Sequence, residues 1–271
     1  MTESDTGKLR RILQSNGKNE MSMVRQAAQV LELLEFFAQV KRPAALAEIS
    51  ETLNWPRSST FNLLSTLKSL GYLYEPRPKG GVYPSPRWAE LFDAIRIGDT
   101  PPVEMDGLLE YLANATAETA ALAAPNAGQA MFVGVRESAY PVRFTTQVGN
   151  CVPLHATAAG RALLSQRPHA DRLAFLRRAE YIHYTAKTLM TPDEVDAEIE
   201  RSVQQGWFIG IEEYSPGLMG IALALPLPGR HYALLVSGPT ERLGSRVQEV
   251  VDLMRNAVRE TLGVEVAPVR G

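Results

Sequence analysis

From Val24, apolar residues recur at helical spacing through Ala27, Ala28, Val30, Leu31, Leu34 and Phe37 or Ala38, with Ser22 placed to cap the start. That spacing predicts one amphipathic helix. After Lys41-Arg42-Pro43, the set Leu46, Ile49 and Leu53 marks a second, shorter helix ending at Asn54-Trp55-Pro56. In a third, Ser58-Ser59-Thr60 offer N-cap hydroxyls, while Phe61, Leu64, Leu67 and Leu70, with Leu63, form the inward stripe. Gly71 sits where a left-handed C-terminal cap is wanted. Tyr72-Leu73-Tyr74-Glu75 and Val82-Tyr83 read as short strands joined by the basic turn Pro76-Arg77-Pro78-Lys79-Gly80-Gly81. Three helices and a hairpin wing in this order predict a winged helix-turn-helix, its third helix entering a major groove and its wing on the backbone. A small helical domain with a hairpin and no DNA contact predicts the same apolar core.

Arg87, Trp88, Leu91, Phe92 and Ile95 continue in helical register to Gly98, before Asp99-Thr100-Pro101-Pro102. Residues 86–98 read as a linker helix whose stripe packs on its own domain or on the same helix of a second subunit. Beyond it the pattern becomes α/β. A helix at 103–116 precedes strands at 119–124, 130–135 and 141–147, with a turn at Pro125-Asn126-Ala127-Gly128. Helices follow at 156–165 and 169–178. Thr191-Pro192-Asp193-Glu194 has the form of a capping box with Pro in the first turn, and Gly206 closes that helix. Strands at 207–212, 219–225 and 231–237 lead to a last helix at 239–262. The fold class is α+β: a mobile leader at 1–20, apart from a short helical piece around Leu9 to Leu13, a DNA-binding domain at 21–85, the linker, and a ligand-binding domain at 99–271.

The 271 residues, 45% hydrophobic and 21% charged, fit an ordinary folded chain of about two domains. The net charge of -2 argues against nucleic acid only as an average. Residues 1–98 hold 13 basic and 10 acidic side chains (+3), the rest 15 and 20 (-5). From Thr52 to Ala89, Arg57, Lys68, Arg77, Lys79 and Arg87 face a single acid, Glu75. On the third helix the outward set Arg57, Ser58, Ser59, Asn62, Ser65, Thr66 and Lys68 holds no carboxylate, which suits phosphates and base edges. With Thr60, Arg77 and Lys79 these are the candidate DNA contacts. A single cysteine, Cys151, excludes internal disulfides and fits a reducing compartment, so the cytoplasm is the default. No apolar run reaches a membrane-spanning length, and the N-terminus lacks the apolar core of a secretion signal.

The four histidines form no HExxH, and no metal or cofactor is expected. There is no GxGxxG, GxxxxGK[ST] or GxSxG. Glu212 and Glu213 would point to opposite faces of a strand. Cys151 and His155, four residues apart, could in principle act as nucleophile and base, and an enzyme with an accessory N-terminal domain is the alternative reading. A buried turn through Val152-Pro153-Leu154 accounts for the same spacing.

The run from Trp55 to Leu67 followed by Gly71-Tyr72-Leu73 resembles the recognition-helix region of the isocitrate-lyase-regulator (IclR-type) family of bacterial transcription regulators. Gly149, Pro153-Leu154-His155-Ala156-Thr157-Ala158-Ala159-Gly160-Arg161-Ala162-Leu163-Leu164, Gly206, Glu212-Glu213-Tyr214, Pro216-Gly217 and Val236-Ser237-Gly238-Pro239 are similar to its second domain, so the likeness runs over about residues 22–262. It implies a winged helix-turn-helix, a linker helix and a GAF-like α/β effector domain. It also implies dimers or dimers of dimers, double-stranded operator DNA and a small metabolite effector. Asn62 stands where the family usually has Arg, which shifts preference from guanine to adenine. Gly220 replaces a common Cys and Leu235 a common Ser. With fewer polar groups the expected effector is a larger apolar or aromatic carboxylate. Arg143 and the amides around Leu154, His155 and Ala156 are candidates to hold the carboxylate, with Phe132, Met219 and Leu235 as apolar wall and Gly220 and Ser237 beside them. An exposed salt bridge for Arg143 and a core role for His155 are equally consistent.

Overall fold

Helix α1 (Arg25–Val40) buries Gln29, Leu33, Phe36 and Phe37. Its buried stripe is therefore rotated from the expected one, and Val24 and Leu31 are exposed. Two adjacent phenylalanines and Leu33 carry more apolar area than the competing Val/Ala face, and the helix turns to bury them. In this computed structural model the described residues are 24–78, 80–96, 104–225, 227 and 229–266. The expected leader with its Leu9–Leu13 piece, the Ser22 cap, Lys79 and the stretch from Gly98 to Pro102 lie outside them.

Helices α2 (Leu46–Thr52) and α3 (Arg57–Ser69) complete the helix-turn-helix. Pro56, not a hydroxyl residue, precedes α3, and no side chain caps it. Thr60 is fully buried, its Oγ1 donating to the Pro56 carbonyl at 3.0 Å. The other end closes as expected. Gly71 has φ +78, Tyr72 N–H donates to Leu67 O at 2.8 Å, and Gly71 N–H donates to Lys68 O at 3.0 Å. The wing pairs β1 (Leu73–Tyr74) with β2 (Tyr83–Pro84), and Ala44 and Val82 exchange backbone hydrogen bonds of 3.1 and 2.9 Å. At Gly81 a Cβ would stand 2.4 Å from the Ala44 carbonyl group, at φ +86, so only glycine lets the wing lie against the α1–α2 connection. In α4 (Arg87–Arg96) Trp88 packs on Tyr72 and donates Nε1–H to its carbonyl at 3.0 Å. Leu91, Phe92 and Ile95 face outward.

The chain divides into two units, Met1–Thr100 and Pro101–Gly271. The second begins with α5 (Glu104–Thr116), the hairpin β3 (Thr119–Asn126) and β4 (Gln129–Arg136), and edge strand β5 (Cys151–Pro153). Helices α6 (Ala158–Ser165), α7 (His169–Leu176) and α8 (Pro192–Gln205) follow. Then come β6 (Phe208–Ile211), β7 (Leu218–Leu225), β8 (Tyr232–Pro239), α9 (Thr240–Leu243), a 3-10 turn (Gly244–Arg246) and α10 (Val247–Leu262). The expected last helix is thus split. All six strands pair antiparallel in the order β5-β4-β3-β8-β7-β6. The β3–β4 hairpin turns through Ala127 and Gly128, both with positive φ (44 and 84), the conformation that matches strand twist. The full capping box forms at Thr191 and Glu194, with Gly206 left-handed at the far end.

One sheet face, with Leu122, Ile221, Leu234 and Val236, packs against α5 and α10. The other, with Ala123, Phe132, Ala222 and Leu235, packs against α6, α7 and α8. Residues 141–147, expected as a strand, are irregular, and the edge position is taken by β5.

Candidate nucleic-acid interface and ligand pocket

On α3, Arg57, Ser58, Ser59, Asn62, Ser65, Thr66 and Lys68 are all exposed. Thr60 is not: its buried hydroxyl is spent on Pro56, and it is withdrawn from the candidate contacts. Thr66 Oγ1 donates to Asn62 O at 2.8 Å, and Lys68 Nζ meets Glu75 Oε1 at 2.5 Å. A phosphate would have to compete with Glu75 for Lys68. Arg57 on α3 and Arg77 in the wing have no ion-pair partner among the described residues and are exposed. Arg87, by contrast, lies over the Tyr72 ring and donates to Leu70 O at 2.8 Å, closing the C-terminal end of α3.

In the second unit a pocket opens between the sheet and the start of α6. Phe132, Phe144, Val152, Leu218 and Leu235 supply its apolar wall; Thr157, Glu213, Tyr214 and Ser237 supply its polar groups, with Ala156, Ala158, Ala159, Gly210 and Gly220 between them. Five of the expected ligand residues, Phe132, Ala156, Gly220, Leu235 and Ser237, line it. Met219 does not. It packs on the α5/α10 side, because successive residues of a strand point to opposite faces and Gly220 already takes the pocket side. Arg143 also lies elsewhere, held in the irregular loop by Glu137 at 3.0 Å and Tyr140 O at 3.1 Å. Leu154 is core, and its backbone lies against Gly160.

The pairing that holds the pocket residue Glu213 had no local signal in the sequence. Arg161 is fully buried in α6 and pairs through both terminal nitrogens with Glu213, at 2.5 and 2.9 Å. It also donates to His155 O at 2.9 Å and Ile209 O at 2.6 Å. Glu212 diverges from Glu213 through a positive φ of 59 and meets exposed Lys187 at 2.7 Å, which holds its carboxyl below the usual range. At the first turn of α6 the Thr157 hydroxyl accepts from Gly160 N–H at 3.1 Å. Ala158 and Ala159, whose amides have no intrahelical acceptor by the geometry of a helix start, border the pocket.

His155 is a core residue. Its Nε2 lies 3.2 Å from the Ile182 carbonyl, and since a carbonyl only accepts, Nε2 carries the proton. Its ring packs on Tyr181 and Tyr184. Burial pushes its pKa below the usual histidine value of 6.5, against the pull of the Ile182 hydrogen bond. Folding therefore favours the neutral ring, and its contribution to stability is present above the unfolded pKa and lost as pH falls below about 6.5. Thermal unfolding at pH 7 and pH 5 is expected to show this loss, and His155→Gln is expected to flatten it; an equal pH slope in the variant contradicts the assignment. Burial, with Asp193 adding, pushes the Tyr181 phenol up to about 12, and it stays a donor to Leu176 O at 2.9 Å. Cys151 is half-buried and contacts Gly149 O and Asn126, not His155.

Among the described residues, His169, Asp196 and Glu200 have metal-ligand spacing. Arg172 already holds Asp196 at 2.6 Å and lies 3.5 Å from Glu200, so a guanidinium supplies the positive charge there. Among the described residues, no helix is long and apolar enough to cross a membrane.

Residues 103–261 match the family model for the bacterial transcriptional regulator IclR C-terminal domain, and residues 27–77 match the IclR helix-turn-helix domain. The acetate operon repressor of Salmonella typhimurium is 27% identical over 248 residues, 88% of each chain. The Thermotoga maritima IclR structure superposes with a TM-score of 0.67 at 19% identity, over 89% of this chain and 100% of that one. An IclR homologue from Microbacterium hydrocarbonoxydans, solved with 4-hydroxybenzoate, gives 0.61 at 20% identity over 89% and 97%. These families and relatives are regulators of transcription, so the enzyme reading of Cys151 and His155 is set aside. This chain, with an exposed, carboxylate-free third helix in its helix-turn-helix and an apolar-walled pocket in its second unit, thus belongs to the IclR family of bacterial transcriptional regulators.

Proposed function

We propose that this regulator binds operator DNA as a dimer, or as a dimer of dimers, and that an aromatic or largely apolar carboxylate in the second-unit pocket changes that binding. In the N-terminal unit, Ser58, Asn62 and Ser65 face base edges, while Arg57, Arg77 and Lys68 take phosphates. The apolar ridge of Leu91, Phe92 and Ile95 on α4 supports pairing of two copies, which a two-fold operator requires.

The observation that carries the effector reading is the pocket's composition. Five large apolar side chains wall it, and its polar groups are few: Thr157, Glu213, Tyr214 and Ser237. The carboxylate belongs at the first turn of α6, where the Ala158 and Ala159 amides and the helix dipole favour an anion. Glu213 at the other side accepts from a hydroxyl on the ligand, its own charge balanced by Arg161. Arg143 has no part in this arrangement.

Calorimetry with the full chain tests it. 4-Hydroxybenzoate is expected to bind at least about tenfold more tightly than pyruvate or glyoxylate, since the smaller acids leave apolar wall unfilled. In Gly220→Val the added side chain grows toward Leu235, Ala158 and Ser237, and a further loss of tenfold or so is expected without loss of DNA binding. Preferential binding of either small oxoacid overturns the effector class and leaves the DNA-binding reading intact.

A further inference from the structure

We infer that Phe61 reads the 5-methyl group of a thymine in the major groove; the inference rests on DNA reading by α3. The helical spacing assigns Phe61 to the inward stripe, yet it is 60% exposed and stands outside the apolar core of its domain. Thr60 and Leu64 take the inward positions on either side of it. Scattered single apolar residues on a surface need no explanation, but Phe61 sits at the edge of the exposed polar face, between buried Leu64 and exposed Arg57, Ser58 and Ser65. Arg57 and Ser65 lie one turn to either side, and Ser58 and Asn62 flank it. That face carries a cation, hydroxyls and an amide and no carboxylate, so what it complements is an anionic surface of hydrogen-bonding groups. In a major groove such a surface offers one apolar feature, the thymine methyl, which Phe is suited to contact. An amide one residue along favours adenine.

A duplex library with a randomised central region, selected with the full chain, yields the preferred site. Each selected thymine is then replaced by deoxyuridine, which keeps every hydrogen-bonding group and removes only the methyl. For the wild-type chain, one position in each half-site is expected to weaken binding about fourfold, the effect of withdrawing one methyl-sized group from an apolar contact. Phe61→Ala is expected to bind the thymine duplex more weakly and to be indifferent to that replacement, while Phe61→Leu keeps part of the sensitivity. Circular dichroism and sedimentation of the variants monitor folding and oligomeric state. Equal thymine-to-uracil penalties in wild type and Phe61→Ala overturn the inference while leaving DNA reading by α3 in place. So does a change of oligomeric mass in Phe61→Ala with thymine sensitivity unchanged, which would assign the ring to a second copy of the chain. Failure of the wild-type chain to select any sequence overturns the DNA reading itself, and this inference with it.

Discussion

Gly160→Ala is expected to cost the second unit about 3 kcal/mol and to destroy the pocket. A Cβ at this position would stand 2.4 Å from Leu154 Cα and 2.5 Å from Leu154 O. Both are backbone atoms in the connection from β5 to α6, so no side-chain rotation relieves the overlap, and overpacking of this kind costs up to about 3 kcal/mol or more. The glycine has an ordinary helical backbone, so its role is close approach and not a special dihedral angle. Pushing the start of α6 off that connection moves Thr157, Ala158 and Ala159 together, and these three border the cavity. Scanning calorimetry is expected to place the transition of this unit about 6–12 °C lower, the shift for such a loss in a unit of this size. Ligand heats are expected to vanish. An unchanged transition with normal ligand binding contradicts the packing described.

Arg161→Met is expected to destabilise by about 3–5 kcal/mol, the typical result of stripping one partner from a buried pair. The variant leaves Glu213 without its countercharge and the carbonyls of His155 and Ile209 without their donor. The larger part of this cost comes from the stranded carboxylate. Combining Arg161→Met with Glu213→Leu is therefore expected to recover most of the loss, because an apolar pair of similar volume often replaces a buried ion pair without penalty. A double variant no more stable than the single one, in urea unfolding, contradicts this division. The recovered double variant is still expected to bind hydroxylated aromatic acids poorly if Glu213 accepts from their hydroxyl as proposed.

Local signals carried much of the fold. The capping box at Thr191, the Ala127-Gly128 turn and the Gly71 cap each reside in a few consecutive residues and were legible as such. The face of α1 was not, because apolar residues lie on nearly all its sides and only tertiary packing of Leu33, Phe36 and Phe37 selects among them. Met219 and Gly220 were both read into the pocket, although neighbours on a strand cannot share a face; the pairing of Gly220 with Ser237 fixes which one enters. Arg161 and Glu213 are 52 positions apart, and nothing in either segment announces the other. Arg143 was placed by an expected strand that does not form, and in the irregular loop it turns to Glu137. Phe61 fitted the helical period and still points outward, because Thr60 fills the inward position beside Pro56.

As proposed, α3 and the wing bind operator DNA under control of the pocket. Fluorescence anisotropy of the full chain on labelled DNA from immediately upstream of its own coding sequence tests this most directly, with and without 4-hydroxybenzoate. Binding is expected to exceed that to an unrelated duplex, to fall steeply and linearly in log–log terms between about 50 and 200 mM salt, and to shift about fivefold or more with the acid. Binding no tighter than to unrelated DNA, or affinity untouched by both salt and acid, would contradict it.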